Sequence, residues 1–205
     1  MKIKRMLVSE FQTNCYVVYN QKQETLIIDP GDNAKKIKKF IDEKHLEVKA
    51  VLLTHGHCDH IGATDLLYET YRCPIYLHQE DHIYLNQPQY NLSYMIQKDL
   101  KISSPVLNAP QLLEIGDYQI RFHHLPGHTP GSCMIEFEKE NVIFSGDVLF
   151  KQGIGRYDFP LSSKHDTYQT IQKLLAFDHD AKVFPGHGEI TSIKEEQQNN
   201  PFLSM

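Results

Sequence analysis

Three histidines and one aspartate stand within six residues of one another, and this cluster constrains the chain more than any other feature. Residues 54–60 read Thr-His-Gly-His-Cys-Asp-His and follow a short apolar run. A strand there delivers His55 and His57 to its carboxyl end on the same side, and the chain then turns through Asp59 and His60. One loop of this kind can serve two adjacent ions, so the sequence predicts a metal site at a sheet edge.

Imidazole and carboxylate ligands suit zinc, with iron and manganese as alternatives. Cys58 stands between opposed ligands, so we expect its thiol to face away from the metal. The other cysteines are Cys15, Cys73 and Cys133, and no two of the four form a C-x-x-C pair. This usage predicts reduced thiols in a cytoplasmic protein rather than a disulfide framework.

Three further polar residues share the context of the cluster, because each follows an apolar run and lies beside a glycine. They are His128, Asp147 and His187. Glycine next to a ligand lets the backbone turn sharply and approach closely. Together with the cluster they make seven candidate ligands. We assign structural or solvent-exposed roles to the other histidines, which are His45, His78, His82, His123, His124, His165 and His179.

Strand patterns alternate with helical ones along the chain, which predicts one α/β domain over residues 1–205, with mixed sheets covered by helices. Prolines interrupt residues 79–110, which could cap a site; we favour a surface insertion packed on its own side chains. Strands are predicted near 15–19, 26–29, 51–54, 75–78, 118–125, 133–137, 142–145 and 183–185, and helices near 34–41, 63–71, 168–175 and 192–198.

Charge and hydropathy exclude several partners. Lys and Arg number 21 against 26 Asp and Glu, for a net charge of −5. That balance lacks the basic excess of nucleic-acid-binding proteins. No apolar run approaches the length of about 18 residues that spans a bilayer, so we expect neither a membrane span nor a signal peptide.

With these residues in this order, the chain resembles the metallo-β-lactamase superfamily. Within that superfamily, residues 127–132 (Gly-His-Thr-Pro-Gly-Ser) and 155–160 (Gly-Arg-Tyr-Asp-Phe-Pro) are similar to the small bacterial glyoxalase II-like proteins, whose namesake is hydroxyacylglutathione hydrolase. The resemblance extends over the whole chain, including Asp29-Pro30-Gly31 after an early strand. The matching pattern is His55-x-His57-x-Asp59-His60, followed by His128, Asp147 and His187.

The resemblance implies a four-layer αβ/βα sandwich, in which two mixed β-sheets are flanked by helices and two metal ions lie at one edge. The ions would be Zn²⁺, with iron or manganese as alternatives. Asp29 is expected to brace the ligand loop rather than to bind metal. By position in the pattern, His55, His57 and His128 would hold the first ion, Asp59, His60 and His187 the second, and Asp147 would bridge them.

The resemblance also implies hydrolysis of a small-molecule acyl thioester by a metal-bridging hydroxide, with Asp59 and Asp147 as catalytic carboxylates. A thiolate leaves without a dedicated general acid. Arg156 is a candidate for orienting a substrate carboxylate, or alternatively for pairing with Asp158. In glyoxalase II a further C-terminal helical domain supplies much of the thiol site, and only a short segment follows His187 here, so the resemblance does not identify glutathione as the thiol.

A persulfide dioxygenase with a single iron at the first position is the main alternative function, since some glyoxalase II-like proteins have that activity. The presence of all seven ligands favours two metals. It also disfavours a non-catalytic metal-binding module, because such relatives usually lack ligands. Phosphodiester hydrolysis is disfavoured by the acidic balance, and β-lactam hydrolysis by the expected cytoplasmic location.

Overall fold

The computed structural model describes residues 1–203, and two six-stranded sheets form its centre. In the first sheet the strands lie side by side in chain order. The first three pair antiparallel, and the pairs from β3 to β6 are parallel. The strands are β1 (Lys2–Val8), β2 (Thr13–Tyr19), β3 (Glu24–Ile28), β4 (Glu47–Leu52), β5 (Ile75–Leu77) and β6 (Leu107–Asn108).

The second sheet has the order β14-β13-β10-β9-β8-β7, and β11 and β12 form a separate two-stranded ribbon. The pair β10 and β13 is parallel, and the other pairs of this sheet are antiparallel. The strands are β7 (Leu112–Ile115), β8 (Tyr118–His124), β9 (Cys133–Phe137), β10 (Val142–Gly146), β11 (Leu149–Phe150), β12 (Gly153–Ile154), β13 (Lys182–Pro185) and β14 (Thr191–Ser192).

Helices cover the outer face of each sheet. The α-helices are α1 (Ala34–Glu43), α2 (Cys58–Ile61), α3 (Thr64–Tyr71), α4 (Pro88–Asn91), α5 (Lys164–Leu175) and α6 (Ile193–Asn199), and the 3₁₀ helices are Gln79–Asn86, Ser93–Ile96 and Glu138–Glu140. No helix within residues 1–203 combines the length and apolar character needed to cross a membrane.

Three apolar clusters hold the layers together because strand side chains alternate between the two faces of each sheet. One cluster lies between the sheets and includes Tyr16, Ile28, Phe122 and Phe144. A second packs α1 and α3 on the first sheet, and a third packs α5 and α6 on the second. The predicted four-layer αβ/βα sandwich is therefore confirmed.

All eight strands predicted from apolar runs are present, within a few residues of the predicted bounds. Strand β1 was not predicted, because charged residues alternate along it and only Met6 and Val8 are buried. It forms an edge of the first sheet, where one face stays in solvent. Helix α5 begins four residues earlier than predicted, because the Ser163 side chain caps it by accepting a hydrogen bond from the Asp166 backbone N–H.

The interpretation of residues 79–110 as an insertion packed on its own side chains is wrong. Tyr84 is fully buried, and its ring lies 5.5 Å from that of His57. Leu92 and Met95 line the same pocket as the candidate ligands. The segment has no long hydrophobic period because it consists of short helical turns, which Asn91 ties together by donating to the backbone carbonyls of Tyr84 and Leu100.

Strand β9 carries a buried carboxylate that two histidines contact. The Glu136 side chain is 3% exposed and accepts hydrogen bonds from His123 and His179. Burial would raise the pKa of Glu136, but these hydrogen bonds hold it below its ordinary value. Burial would lower the pKa of His179, but hydrogen bonds with Asp178 and Glu136 raise it.

These pKa shifts predict the pH range in which the hydrogen bonds between Glu136 and His179 stabilise the folded chain. The Glu136 contribution is complete above the ordinary carboxyl pKa and is lost as the pH falls through the lowered folded value. The His179 contribution is complete below the ordinary imidazole pKa and is lost as the pH rises through the raised folded value. Both are complete between about pH 4.3 and 6.5.

Glu136→Gln is therefore expected to lower the free energy of unfolding at pH 6 by about 1–2 kcal/mol, a range that allows for the 42% exposure of the His179 side chain. Urea unfolding at pH 6 and pH 9 measures the effect, with the exposed Glu140→Gln as control. A loss of equal size at both pH values would contradict this assignment.

Candidate metal centre

The seven candidate ligands meet at one edge of the two sheets. His55 and His57 follow β4, and α2 carries Asp59 and His60. The remaining three come from the second sheet: His128 from the loop between β8 and β9, Asp147 directly after β10, and His187 after β13. Parallel β10 and β13 end side by side, which brings Asp147 and His187 to one place.

His55, His57 and His128 form the first group of possible ligands. The distance from His55 Nε2 to His57 Nδ1 is 3.1 Å, and from His57 Nδ1 to His128 Nε2 it is 3.0 Å. All three side chains are buried. Burial lowers the pKa of each imidazole below its ordinary value, which keeps the rings neutral, as a metal ligand must be.

Asp59, His60 and His187 form the second group. Asp59 Oδ2 lies 3.4 Å from His60 Nε2 and 3.2 Å from His187 Nε2. Burial would raise the pKa of Asp59, but His60 and His187 hold it well below its ordinary value. The carboxylate is therefore ionised at neutral pH.

Asp147 lies between the two groups. Its Oδ1 is 3.3 Å from His60 Nε2, and its Oδ2 is 3.5 Å from His128 Nε2 and 3.6 Å from His187 Nε2. Burial would raise its pKa, but the neighbouring histidines, above all His60, lower it to about 2. One ionised carboxylate thus has an oxygen near ligands of each group.

The residues present fit divalent metal ions. His60 Nε2 and Asp147 Oδ1 are buried, lie 3.3 Å apart, and have no hydrogen-bond partner among residues 1–203. Leaving such atoms unpaired is costly, and a cation would satisfy both. The spacings of 3.0–3.6 Å between candidate donors also suit ligands that each bind one ion at about 2.1 Å.

Hydrogen bonds from neighbouring groups fix the orientation of these rings. Asp29 accepts from Thr54 and from His60 Nδ1, at 2.9 Å for the latter, so His60 presents its Nε2 to Asp147. The expectation that Asp29 braces the loop is confirmed. His128 Nδ1 donates to the backbone carbonyl of Arg156, at 2.7 Å, and therefore presents its Nε2.

Sequence reasoning missed two side chains that contact the ligand loops. Thr13, at the start of β2, donates from its hydroxyl to Asp59 Oδ2 at 2.7 Å. Asp81, in the 3₁₀ helix Gln79–Asn86, accepts from both histidine-bearing loops. No local signal marks either residue, because the partners are 25 or more positions away in the chain.

A cavity of about 250 Å³ lies over the candidate ligands of both groups. Phe11, Leu92, Met95 and Phe159 give it apolar walls, and the Phe159 ring lies 5.6 Å from that of His57. Arg156 is the one cationic side chain among the lining residues described. It is exposed, and its Nε and Nη2 donate to Asp158, at 2.9 and 2.8 Å.

The cysteines have no role as ligands in the groups described. All four are free and buried, and Cys58, although it lines the cavity, belongs to no group of possible metal ligands within residues 1–203. Burial raises the pKa of the Cys58 thiol to about 12. A thiol in that state is neither a good ligand nor a good nucleophile.

Another group of possible ligands, His78, Glu80 and His124, lies apart from the seven and borders a separate cavity of about 510 Å³. The two imidazole rings are stacked, with centroids 3.9 Å apart and planes inclined by 17°. The lone pair of an imidazole nitrogen lies in the ring plane, so two nearly parallel rings cannot both point at one ion. We therefore assign no metal to this group.

The sequence model of the Metallo-beta-lactamase superfamily matches residues 8–187. Among curated relatives, "Probable metallo-hydrolase YqgX" of Bacillus subtilis is 38% identical over 208 residues, covering 100% of this chain and 98% of the relative. "Hydroxyacylglutathione hydrolase GloC" of Haemophilus influenzae is 36% identical over 210 residues, covering 100% and 99%.

Solved structures agree with the fold over its whole length. The BLEG-1 B3 metallo-beta-lactamase is 37% identical, with a TM-score of 0.93 and 100% of each chain covered. The structure of TTHA1623 in a di-iron-bound form is 31% identical, with a TM-score of 0.88, covering 97% of this chain and 99% of the other.

Proposed function

Because the chain belongs to the metallo-β-lactamase superfamily, we propose that it is a metal-dependent hydrolase acting on acyl thioesters, as glyoxalase II-like enzymes do. The observation that supports hydrolysis most strongly is the position of Asp147 between two groups of three possible ligands, at the floor of an open pocket. All seven ligands of the superfamily pattern are present, whereas a non-catalytic binding module would be expected to lack some of them.

Two ions are proposed, one on His55, His57 and His128 and one on the second group, with Asp147 shared. Zinc fits these donors, and the di-iron form of the relative TTHA1623 keeps iron as an alternative. Such a pair of divalent ions supplies a Lewis acid and an activated water at neutral pH. Four buried free cysteines are in keeping with the reducing cytoplasm as the proposed location.

Asp59 is the proposed proton acceptor. Its side chain is 14% exposed and lies on the wall of the cavity, where it can contact a bound water. The Thr13 hydroxyl donates to Oδ2 and fixes the carboxylate. An ionised, oriented carboxylate can take the proton of an attacking water. Asp147 is proposed to act with it, as the second catalytic carboxylate.

Thioester hydrolysis makes the least demand on these residues. A thiolate with a pKa of about 8.5 leaves without protonation, whereas the amine of a β-lactam needs a proton donor. The apolar walls of the cavity suit an acyl group. β-Lactam hydrolysis is the second candidate because the BLEG-1 enzyme is similar over the full length of the chain.

A substrate screen tests the proposal. The zinc-loaded and iron-loaded proteins are incubated separately with a 2-hydroxyacyl glutathione thioester, acetyl-coenzyme A, a chromogenic cephalosporin and glutathione persulfide. We expect thiol release from at least one thioester, at a kcat/KM at least about 100 times that for the cephalosporin, which corresponds to about 2.7 kcal/mol. Faster cephalosporin turnover, or oxygen uptake with the persulfide and no thiol release, would overturn the proposal.

Arg156 is proposed to bind a substrate carboxylate. Its Nη1 makes no hydrogen bond with residues 1–203 and can engage a second acceptor beside Asp158. We expect Arg156→Ala to raise KM about tenfold for an acyl group that carries a carboxylate, and to leave KM for a neutral acyl group unchanged. Steady-state kinetics on the two thioesters measures this. Equal effects on both would mean that Arg156 only pairs with Asp158.

A further inference from the structure

One buried carboxylate outside the ligand set joins the two loops that carry the first three histidines. Asp81 is fully buried and accepts three hydrogen bonds. Its Oδ2 accepts from the Gly56 backbone N–H, at 2.8 Å, and from the Thr129 hydroxyl, at 2.7 Å. Its Oδ1 accepts from the Gly131 backbone N–H, at 2.6 Å.

The residues that donate these hydrogen bonds are close in the chain to the ligands of the first group. Gly56 lies between His55 and His57, and Thr129 follows His128 directly. Asp81 therefore connects the loop after β4 to the loop between β8 and β9, in addition to the backbone hydrogen bond from Cys133 to Thr54. Those two loops supply all three side chains of the first group, and the loop after β13 supplies none of them.

Packing around Asp81 accounts for glycine at both loop positions. A Cβ on Gly131 would lie 2.7 Å from Asp81 Oδ1 and 2.8 Å from the Asp81 backbone nitrogen. A Cβ on Gly56 would lie 2.4 Å from Tyr84 Cβ, in the same 3₁₀ helix. Such separations are too short for carbon, so both loops can approach this helix only as glycine.

Different residues fix the second group. Asp29 accepts from His60, and Thr13 donates to Asp59. The Asn14 side chain donates to the backbone carbonyl of Pro185, two residues before His187. No hydrogen bond from Asp81 reaches Asp59, His60 or His187 within the part of the chain that is described.

We propose that Asp81 is a positioning residue of the first metal site, where it holds the histidine loops together as a pure hydrogen-bond acceptor, whereas Thr13 holds Asp59 of the second site. The proposal deepens the metal-centre assignment above and rests on it. Three donors point at the side chain, so only a carboxylate satisfies all of them. An amide would turn an N–H group toward at least one donor.

Asp81→Asn is the direct test, because it keeps the shape and changes one acceptor into a donor. Asp65→Asn is the matched control, since Asp65 also accepts backbone hydrogen bonds, from Ser103 and Ser104, at a half-buried position that does not line the cavity. Metal-free protein is titrated with Co²⁺ against a chromophoric chelator. The visible absorption of the bound Co²⁺ is recorded, and anomalous diffraction identifies which site fills.

We expect Asp81→Asn to weaken Co²⁺ binding at the first site by about 10- to 100-fold and to change the Co²⁺ absorption of that site, while affinity at the second site stays within about twofold. Thr13→Val, which removes the hydrogen bond to Asp59, is expected to show the opposite selectivity. Asp65→Asn should match wild type in both affinities. Equal loss at both sites, or wild-type affinity at the first site in Asp81→Asn, would overturn the positioning role.

Thr129 provides a second test if Asp81→Asn does not fold. Thr129→Val removes one of the three donors and is expected to weaken the first site about threefold to tenfold, whereas Thr129→Ser keeps the hydroxyl and restores the affinity. Equal affinities in these two variants would contradict the proposal. A wild-type protein that binds no Co²⁺ at either site would instead overturn the metal-centre assignment itself, together with this inference.

Discussion

Asp147→Ala is expected to lose both metal ions and to reduce thioester hydrolysis by about 10⁴-fold or more. The Asp147 carboxylate lies within 3.3–3.6 Å of nitrogens from both groups, namely those of His60, His128 and His187. Asp59 and Asp147 are the only two carboxylates in the seven-residue set, so alanine at 147 removes half of the negative charge that faces two divalent cations.

Metal analysis of the purified variant measures this result. Wild type is expected to carry two ions per chain, Asp147→Ala close to none, and His60→Ala one, because His60 belongs to the second group. Asp158→Asn serves as control, since Asp158 is an exposed carboxylate that pairs with Arg156 outside both groups. Two ions per chain in Asp147→Ala would contradict the assignment of a shared ligand.

Gly31→Ala is expected to have the second largest effect, and it acts on stability. A Cβ on Gly31 would lie 1.5 Å from the backbone oxygen and 2.5 Å from the backbone carbon of Asp59. Neither atom belongs to a side chain that can rotate away, so the whole ligand loop would have to move. We expect the free energy of unfolding to fall by about 3 kcal/mol or more, which lowers the melting temperature by about 10 °C.

Thermal unfolding of the metal-free proteins measures this effect without any contribution from bound ions. Gly153→Ala is the matched control because a Cβ there would lie 3.7 Å from its nearest neighbour, at ordinary contact distance. Its melting temperature should stay within about 3 °C of wild type. Similar melting temperatures for Gly31→Ala and Gly153→Ala would mean that the ligand loop is not locked against the turn at Gly31.

The candidate ligands could be predicted from the sequence because metal-binding residue types stand in a local pattern after apolar runs, and five of the seven lie directly beside a glycine. The strands could be predicted for a related reason, since short buried runs of β-branched and aromatic residues carry their own signal. The structure brings all seven predicted side chains to one place, although their roles as ligands remain predictions.

The supports of the site could not be predicted in the same way. The hydrogen-bond partners of Asp81 and Thr13 lie 25 to 50 positions away in the chain. Nothing in the sequence around these two residues distinguishes them from surface residues. The segment 79–110 was assigned to the surface for the same reason. Its short helical turns lack a period, and its role depends on contacts of Tyr84 and Leu92 with elements elsewhere in the chain.

Anomalous diffraction from crystals of the metal-loaded protein tests the two-metal assignment. We expect two peaks about 3.5–4 Å apart. One peak should contact His55, His57 and His128, the other Asp59, His60 and His187, with the carboxylate of Asp147 between them. A single peak at the three histidines, or an ion held by Cys58 or Asp29, would contradict the shared two-metal centre.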